Sequence, residues 1–175
     1  RLAWLAETDP DAFAASARFA SPAAYLLARL FGAEHAVESA SMASASGLWD
    51  QTRQTWDTAV AAAVGVDPAR FLPASDQPRA GLTAPVAARL PELADVPWLP
   101  AIGDGAASNL GSGAAAPGRV ALMIGTSGAM RTVAPGATPP HREGGLWRYQ
   151  IGPERFALGG ALTNGGSVWA WLEKT

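Results

Sequence analysis

The chain has no cysteine, which excludes disulfides and thiolate metal sites and fits a reducing, cytoplasmic setting. Histidine is almost as scarce. The two present, His35 and His141, are far apart in sequence and neither stands beside a second ligand-type cluster, so no metal ligand is assigned. Charged residues make up only 16% of the chain and the net charge is −2. There is thus no basic excess to suit nucleic acid or an anionic membrane surface. No apolar run approaches the roughly 18 residues that span a bilayer, because Gly, Pro or a charge interrupts each one. No secretory signal pattern opens the sequence. Neither nucleic acid nor membrane is therefore an expected partner.

What the chain does have is apolar bulk. Of 175 residues, 49% are hydrophobic, enough for a core in one domain or in pieces of two. The sequence starts at Arg1 inside an apolar pattern and stops after Val168-Trp169-Ala170-Trp171-Leu172. It reads as an excerpt of something longer. Seven scattered tryptophans form no basic and aromatic stripe and are expected in the core.

Helical spacing predicts two short helices over residues 2–17, broken at Asp9-Pro10-Asp11, where Asp caps and Pro opens a helix. Ser21-Pro22 repeats that start signal, Tyr25, Leu26, Leu27, Leu30 and Phe31 form an apolar face, and Gly32 closes it. Residues 37–45 alternate small and apolar side chains and predict a strand ending at Gly47-Leu48-Trp49-Asp50. An Ala-rich helix follows over 56–64, stopped by Gly65, and Asp67-Pro68 opens a short helical turn. Gly81-Leu82-Thr83 predicts an extended piece, 86–90 a short helix and 91–97 a connector.

Residues 98–102 predict a buried strand leading into Gly103-Asp104-Gly105, with a small-residue helix to about Leu110. That order would place Asp104 at the carboxyl end of a strand, where open α/β sheets keep their ligands. Residues 111–118 are nearly all Gly, Ala and Ser, the best candidate for a boundary or hinge. Beyond them, short turn-bounded apolar runs at 119–124, 129–133, 146–151 and 156–158 predict an antiparallel meander. A final helix carries Val168, Trp169 and Leu172, with Asn164 or Ser167 as its cap. No internal repeat is visible.

Two turns carry the chemistry. Asp104 between two glycines is on pattern alone more often a plain turn residue. Yet glycine on either side lets a substrate hydroxyl come close to the carboxylate, as a general base requires. Gly125-Thr126-Ser127-Gly128 suits an ordinary hairpin turn, and equally a phosphate cradle of backbone N–H groups and two hydroxyls. Gly159-Gly160 and Gly165-Gly166 fit close backbone packing or close approach to a nucleotide. Arg18, Arg29, Arg53 and Arg131 cannot be sorted between solvated faces and phosphate neighbours.

Together these pieces resemble the FGGY family of carbohydrate kinases, over nearly the whole chain. The resemblance is carried by Trp4-Leu5, by the 21–32 helix, by Ser44-Ala45-Ser46-Gly47-Leu48-Trp49-Asp50 and Leu72-Pro73, and by Gly103-Asp104, Gly125-Thr126-Ser127-Gly128 and the Gly-Gly before Trp171-Leu172. Their order and spacing are the specific signal. Ser108-Asn109-Leu110-Gly111, the 124–131 segment and the 159–166 segment look most like the gluconokinase branch.

The resemblance implies an α/β, ribonuclease H-like, actin-type ATPase fold, here partial and spanning parts of two lobes. Residues 1–110 would be the later part of the sugar-binding lobe and 111–175 the start of the nucleotide-binding lobe. Asp104 would be the catalytic base and, with Gly105, line the sugar site. Gly125, Thr126, Ser127 and Gly128 would contact the ATP phosphates, and Gly166 would lie near the nucleotide. ATP and Mg²⁺ would be the cofactors and a sugar or sugar acid the substrate, most readily the 6-hydroxyl of gluconate.

A xylulose or other polyol or ketose kinase is the alternative substrate reading. An actin-like nucleotide-binding module without sugar chemistry, and a degenerate fragment that folds poorly, are the rivals; oligomeric state is open, a homodimer included. Departures are Gly105, where several relatives carry an amide, and Ala170, where some carry a polar residue. The first phosphate loop, the early sugar contacts and the adenosine pocket would all lie outside these residues.

Overall fold

The structure, a computed structural model, describes residues 1–137 and 144–175; His141 lies outside the described residues. Contacts divide the chain into two compact units, Arg1–Ala101 and Ile102–Thr175, each with its own core.

The first unit opens with helices α1 (Leu2–Thr8) and α2 (Pro10–Ala15), separated where the Asp9 side chain accepts from the Ala12 N–H. Helix α3 (Pro22–Phe31) begins at Ser21, whose hydroxyl accepts from Ala24, and ends at Gly32 with φ +107°. A positive φ is where glycine is favoured, so the stop signal has a backbone cause. Ser21 is itself held by buried Glu38, which accepts from its N–H at 2.6 Å and its hydroxyl at 2.8 Å.

The strand expected over 37–45 is a helix, α4 (Ala40–Ala45). Two caps account for the difference: the Ser39 hydroxyl accepts from Met42 at 3.1 Å and the Asp76 carboxylate from Ala40 at 2.9 Å. With those N–H groups satisfied, a run of small residues favours helix and buries one face. Only Glu38 keeps strand character, as a single bridge to Ala74.

Strands β1 (Trp49–Asp50) and β2 (Thr55–Trp56) pair antiparallel, so Trp56 precedes helix α5 (Thr58–Ala63), which Asp57 caps. Gly65, at φ +72°, lies just past the helix end. Asp67 caps a 3₁₀ turn at Pro68–Arg70. Ala61, Val66 and Phe71 form the core with Leu2, Phe13, Phe19, Leu48, Trp56 and Val64 around them. The Arg70 guanidinium lies over the Phe13 and Phe19 rings at 4.9 and 4.5 Å. It also donates to the Phe13 and Ser16 carbonyls.

Helix α6 (Ala84–Arg89) stands where a short helix was expected. The strand expected over 98–102 is absent. Trp98 makes one bridge to Arg79, while Leu99 is 75% exposed and Ile102 36% exposed. Proline at 97 and 100 removes the ladder donors a strand needs. Trp98 packs edge-on to Phe31 and Trp49 to Trp56. Trp4, Trp169 and Trp171 are exposed, against the expectation of core roles for all.

The second unit opens with helix α7 (Asp104–Gly111), followed by strands β3 (Val120–Ile124), β4 (Gly128–Pro135), β5 (Trp147–Gly152) and β6 (Arg155–Leu162), then helix α8 (Gly166–Leu172). The sheet is antiparallel as expected. Its order, β3-β4-β6-β5, is not that of a meander. A tight turn at Pro153-Glu154 folds β6 back, and β6, with Ala157, Gly159, Gly160 and Ala161 among its residues, pairs on both sides between β4 and β5.

Ala106 and Leu110 of α7 pack with Val133, Tyr149, Ile151 and Ala157, so α7 covers one sheet face. The register puts Arg131 opposite Gly159, and Gly159 opposite Trp147, on that same face. The 111–118 segment joins α7 to β3 inside this unit. It is tied down by Ala114 N–H to Asn109 O at 2.9 Å and Arg119 to the Gly113 carbonyl at 3.0 Å.

Candidate active site

Asp104 is the first residue of α7, after Gly103 in extended conformation. Its carboxylate accepts from the Gly105 N–H at 2.7 Å, and a carboxylate in a first helical turn is favoured by the helix dipole. The premise that placed it after a strand fails, yet the outcome is similar: Asp104 is exposed while Gly105 and Ala106 beneath it are buried. An exposed carboxylate held by one backbone bond has a second oxygen free for an incoming hydroxyl.

Gly105 is where the sheet reaches the helix. A Cβ there would stand 2.3 Å from Tyr149 Oη, 3.0 Å from Arg131 Nε and 3.3 Å from Arg131 Cζ. The bare Cα therefore accommodates the side chains of β4 and β5 rather than serving an unusual φ. The Arg131 guanidinium sits 5.3 Å over the Trp147 ring, and Trp147 stacks on Tyr149. Buried Asn109 donates to the Arg131 carbonyl at 3.2 Å, fixing β4 under the helix. Arg131 Nε and Nη1 and Tyr149 Oη are buried without a hydrogen-bond partner among the described residues.

Burial pushes the Tyr149 phenol above its ordinary value; Arg131 draws it back and Asp104 adds to the rise. Since the folded state raises this acid's pKa, the neutral phenol's contribution to stability is complete below pH 10 and is lost as pH rises through the folded value. An ultraviolet titration is expected to show one tyrosine ionising later than free tyrosine, with Tyr149→Phe removing that step. A step unchanged in Tyr149→Phe would assign it to Tyr25.

The second candidate group is the loop from Gly125 to Ser127, closed by Gly125 N–H to Ser127 O at 2.8 Å between paired Ile124 and Gly128. It is a hairpin, as the plainer reading had it, but with an added partner. Gly165 N–H donates to Thr126 O at 2.9 Å and Gly166 N–H to Gly125 O at 2.6 Å. A Cβ on Gly165 would stand 2.7 Å from the Ser127 carbonyl, and one on Gly166 2.8 Å from Gly125 O. These glycines thus serve close packing of α8 on the turn.

Neither Asn164 nor Ser167 caps α8; its N-cap is Gly165, without a side-chain bond, and the turn's carbonyls take the donors. The N–H groups of Thr126 and Ser127 make no backbone hydrogen bond in the described structure, and both residues are exposed. With two hydroxyls they suit an anion's oxygens. Beside them Asn164, Ser167, Val168 and Trp171 line a shallow recess.

β4 connects the two groups. It leaves the turn at Gly128 and reaches Arg131 three residues later, about 10 Å along an extended strand. Of the arginines left unsorted, Arg18 donates to the Ala69 and Phe71 carbonyls, Arg53 lies 3.6 Å from Asp50, and Arg131 joins the site. Tyr149 and Trp147 went unread in the sequence; the bare Gly105 beside Asp104 was the available signal. Among the described residues no group of three or more His, Cys, Asp or Glu side chains converges.

Comparison with known proteins gives one family match, to the FGGY family of carbohydrate kinases, N-terminal domain, over residues 1–111. A gluconokinase of Bacillus licheniformis is 27% identical over 182 aligned positions, covering 98% of this chain and 33% of that protein. A xylulose kinase of Streptomyces rubiginosus is 31% identical over 139, covering 76% of the chain and 27% of that protein. The solved xylulose kinase of Rhodospirillum rubrum superposes with a TM-score of 0.85 at 25% identity, over 99% of this chain and 35% of that one. The chain thus spans about a third of the length of these relatives. The architecture is the mixed α/β, actin-like ATPase fold of sugar kinases, as expected.

Proposed function

Because the chain belongs to the FGGY family of carbohydrate kinases, we propose that in its full-length parent it forms part of the site that transfers the γ-phosphoryl group of ATP to a hydroxyl of gluconate. The observation that carries this reading is Asp104, an exposed carboxylate at the first position of α7, one residue from the polar cluster of Arg131 and Tyr149. In the proposed step the substrate hydroxyl oxygen attacks the γ-phosphorus, the bond to the ADP oxygen breaks, and the hydroxyl proton passes to Asp104. Thr126 and Ser127 offer N–H and hydroxyl groups to the phosphate oxygens, steadied by Gly125, Gly128 and Gly166. The bare Cα of Gly105 lets Tyr149 and Arg131 come up beside Asp104.

Mg²⁺ would supply charge stabilisation to the phosphates in such a reaction, and no step is assigned to it through these residues. On the family's lobe division, 1–110 would belong to the sugar-binding lobe and 111–175 would open the nucleotide-binding lobe. We place the protein in the cytoplasm, where ATP is supplied; no helix among the described residues is long and apolar enough to cross a membrane.

Gluconate is supported by gluconokinases aligned over 98% of the chain. Xylulose is the second reading, favoured by the 31% identical xylulose kinase. A coupled ADP-release assay of the full-length kinase against gluconate, xylulose and glycerol tests both, with gluconate expected to give the highest kcat/KM. Preference for xylulose would replace the first reading with the second.

Residues 1–175 alone are expected to show no ATP-dependent turnover of gluconate, since they span about a third of the kinases they match. Clear turnover in the same assay would show the described residues to be a sufficient catalytic unit.

A further inference from the structure

Arg131 is a cation with no anion beside it among the described residues. Among the described residues no carboxylate lies within 4 Å of its guanidinium, and Nε and Nη1 are buried with no acceptor. Tyr149 Oη, buried and unpartnered too, meets the same spot over Gly105. The face of Trp147 at 5.3 Å gives the charge a π partner, but it accepts none of the planar N–H donors. Asp104 does not close the gap, because the hydrogen bond it makes is to the Gly105 N–H.

Arg131 is half-buried, and leaving its two buried donors unpaired is costly; carboxylate is the partner a guanidinium's forked donors fit best. The molecule that brings its hydroxyl to Asp104 comes within reach of this cluster. A neutral sugar would leave Arg131 unpaired, whereas a sugar acid would supply the missing anion. The absence of a Cβ at residue 105 gives the cluster its room: a side chain there would collide with Tyr149 and Arg131.

We propose that Arg131, seconded by the Tyr149 hydroxyl, is the specificity-determining group that selects an aldonate over a neutral sugar by pairing with the substrate carboxylate. This rests on the reading of Asp104 as the base toward the same substrate. Arg131 is held for that task from three sides. Asn109 binds its carbonyl at 3.2 Å, the side chain crosses bare Gly159, whose Cβ would stand 3.1 Å from Arg131 Cγ, and the Trp147 ring backs its charge.

The test uses the full-length kinase, with initial rates for gluconate and for a neutral hexitol of the same chain length. Arg131→Met is expected to raise KM for gluconate by about 30-fold or more, the loss of a charge-assisted hydrogen-bond pair. The ratio of kcat/KM for gluconate over hexitol should fall by a similar factor. Arg131→Lys, which keeps the charge and loses the fork, is expected to raise the gluconate KM by about tenfold. It serves as the deciding variant if the Met protein does not fold.

A wild-type enzyme that phosphorylates gluconate, with KM within threefold in both variants, would overturn the role of Arg131 and leave the proposed reaction standing. A rise confined to the KM for ATP would assign Arg131 to the phosphates and overturn it equally. A wild-type enzyme that takes the hexitol and not gluconate would overturn both.

Discussion

Asp104→Asn in the full-length kinase is expected to lower kcat by about 10²–10⁴-fold, the range associated with a positioned general base, with little change in KM for ATP. The substitution is narrow. Asparagine keeps the shape and an oxygen that can accept the Gly105 N–H at 2.7 Å, so the start of α7 need not move. What is lost is the capacity to take up the hydroxyl proton and the negative charge facing it. Loss in kcat and in kcat/KM together is the signature of an interaction made in the transition state. A kcat within threefold of wild type, with the variant folded, would remove Asp104 from the role of base.

Gly159→Ala is expected to have the second largest effect, lowering stability by about 2–3 kcal/mol, toward the upper end of the usual overpacking range. Its Cβ would stand 2.2 Å from the Met130 carbonyl oxygen and 3.1 Å from Arg131 Cα. Those are backbone atoms, so no rotamer change relieves the clash and the β4–β6 pairing itself must shift. Gly159 faces Arg131 on one side and Trp147 on the other in register. The same methyl therefore lifts Arg131 from its seat. Gly160→Ala is the control, since its Cβ would meet only Leu146 at 3.5 Å, ordinary van der Waals contact. Thermal unfolding should separate the two by several degrees; equal melting temperatures would refute the steric account.

These two positions show how unevenly the site could be read from sequence. Helix starts were legible because the cap and the helix are neighbours in the chain. Asp9, Ser21 and Asp67 all accept from an N–H two or three residues on. The 40–45 helix was missed because one of its two caps, Asp76, lies 36 residues away. The 98–102 segment was misread because an apolar run does not reveal whether a partner strand exists.

Asp104-Gly105 and the Gly125–Gly128 turn stood out as local patterns. The reason for Gly105 did not, because Tyr149 and Arg131 come from strands whose order is set by the β6 turn-back at Pro153-Glu154. Gly166 was singled out for a nucleotide, while its bare Cα is accounted for by the Gly125 carbonyl. In both cases the pattern marked a glycine, and a long-range partner supplied the cause of its bare Cα.

The turn and the cluster are joined by one strand, β4, which places a group with free N–H donors about 10 Å along the backbone from an unpaired guanidinium. On the proposed reading, phosphates would lie at one end and a sugar acid at the other, with Asp104 beside the second.

The measurement that bears most directly on this account is phosphorus NMR of a reaction containing the full-length kinase, ATP, Mg²⁺ and gluconate. The account predicts ADP and one new phosphate monoester on gluconate in equal amounts, with both signals lost in Asp104→Asn. ADP and free phosphate without a gluconate ester, or an ester formed equally well by Asp104→Asn, would contradict it.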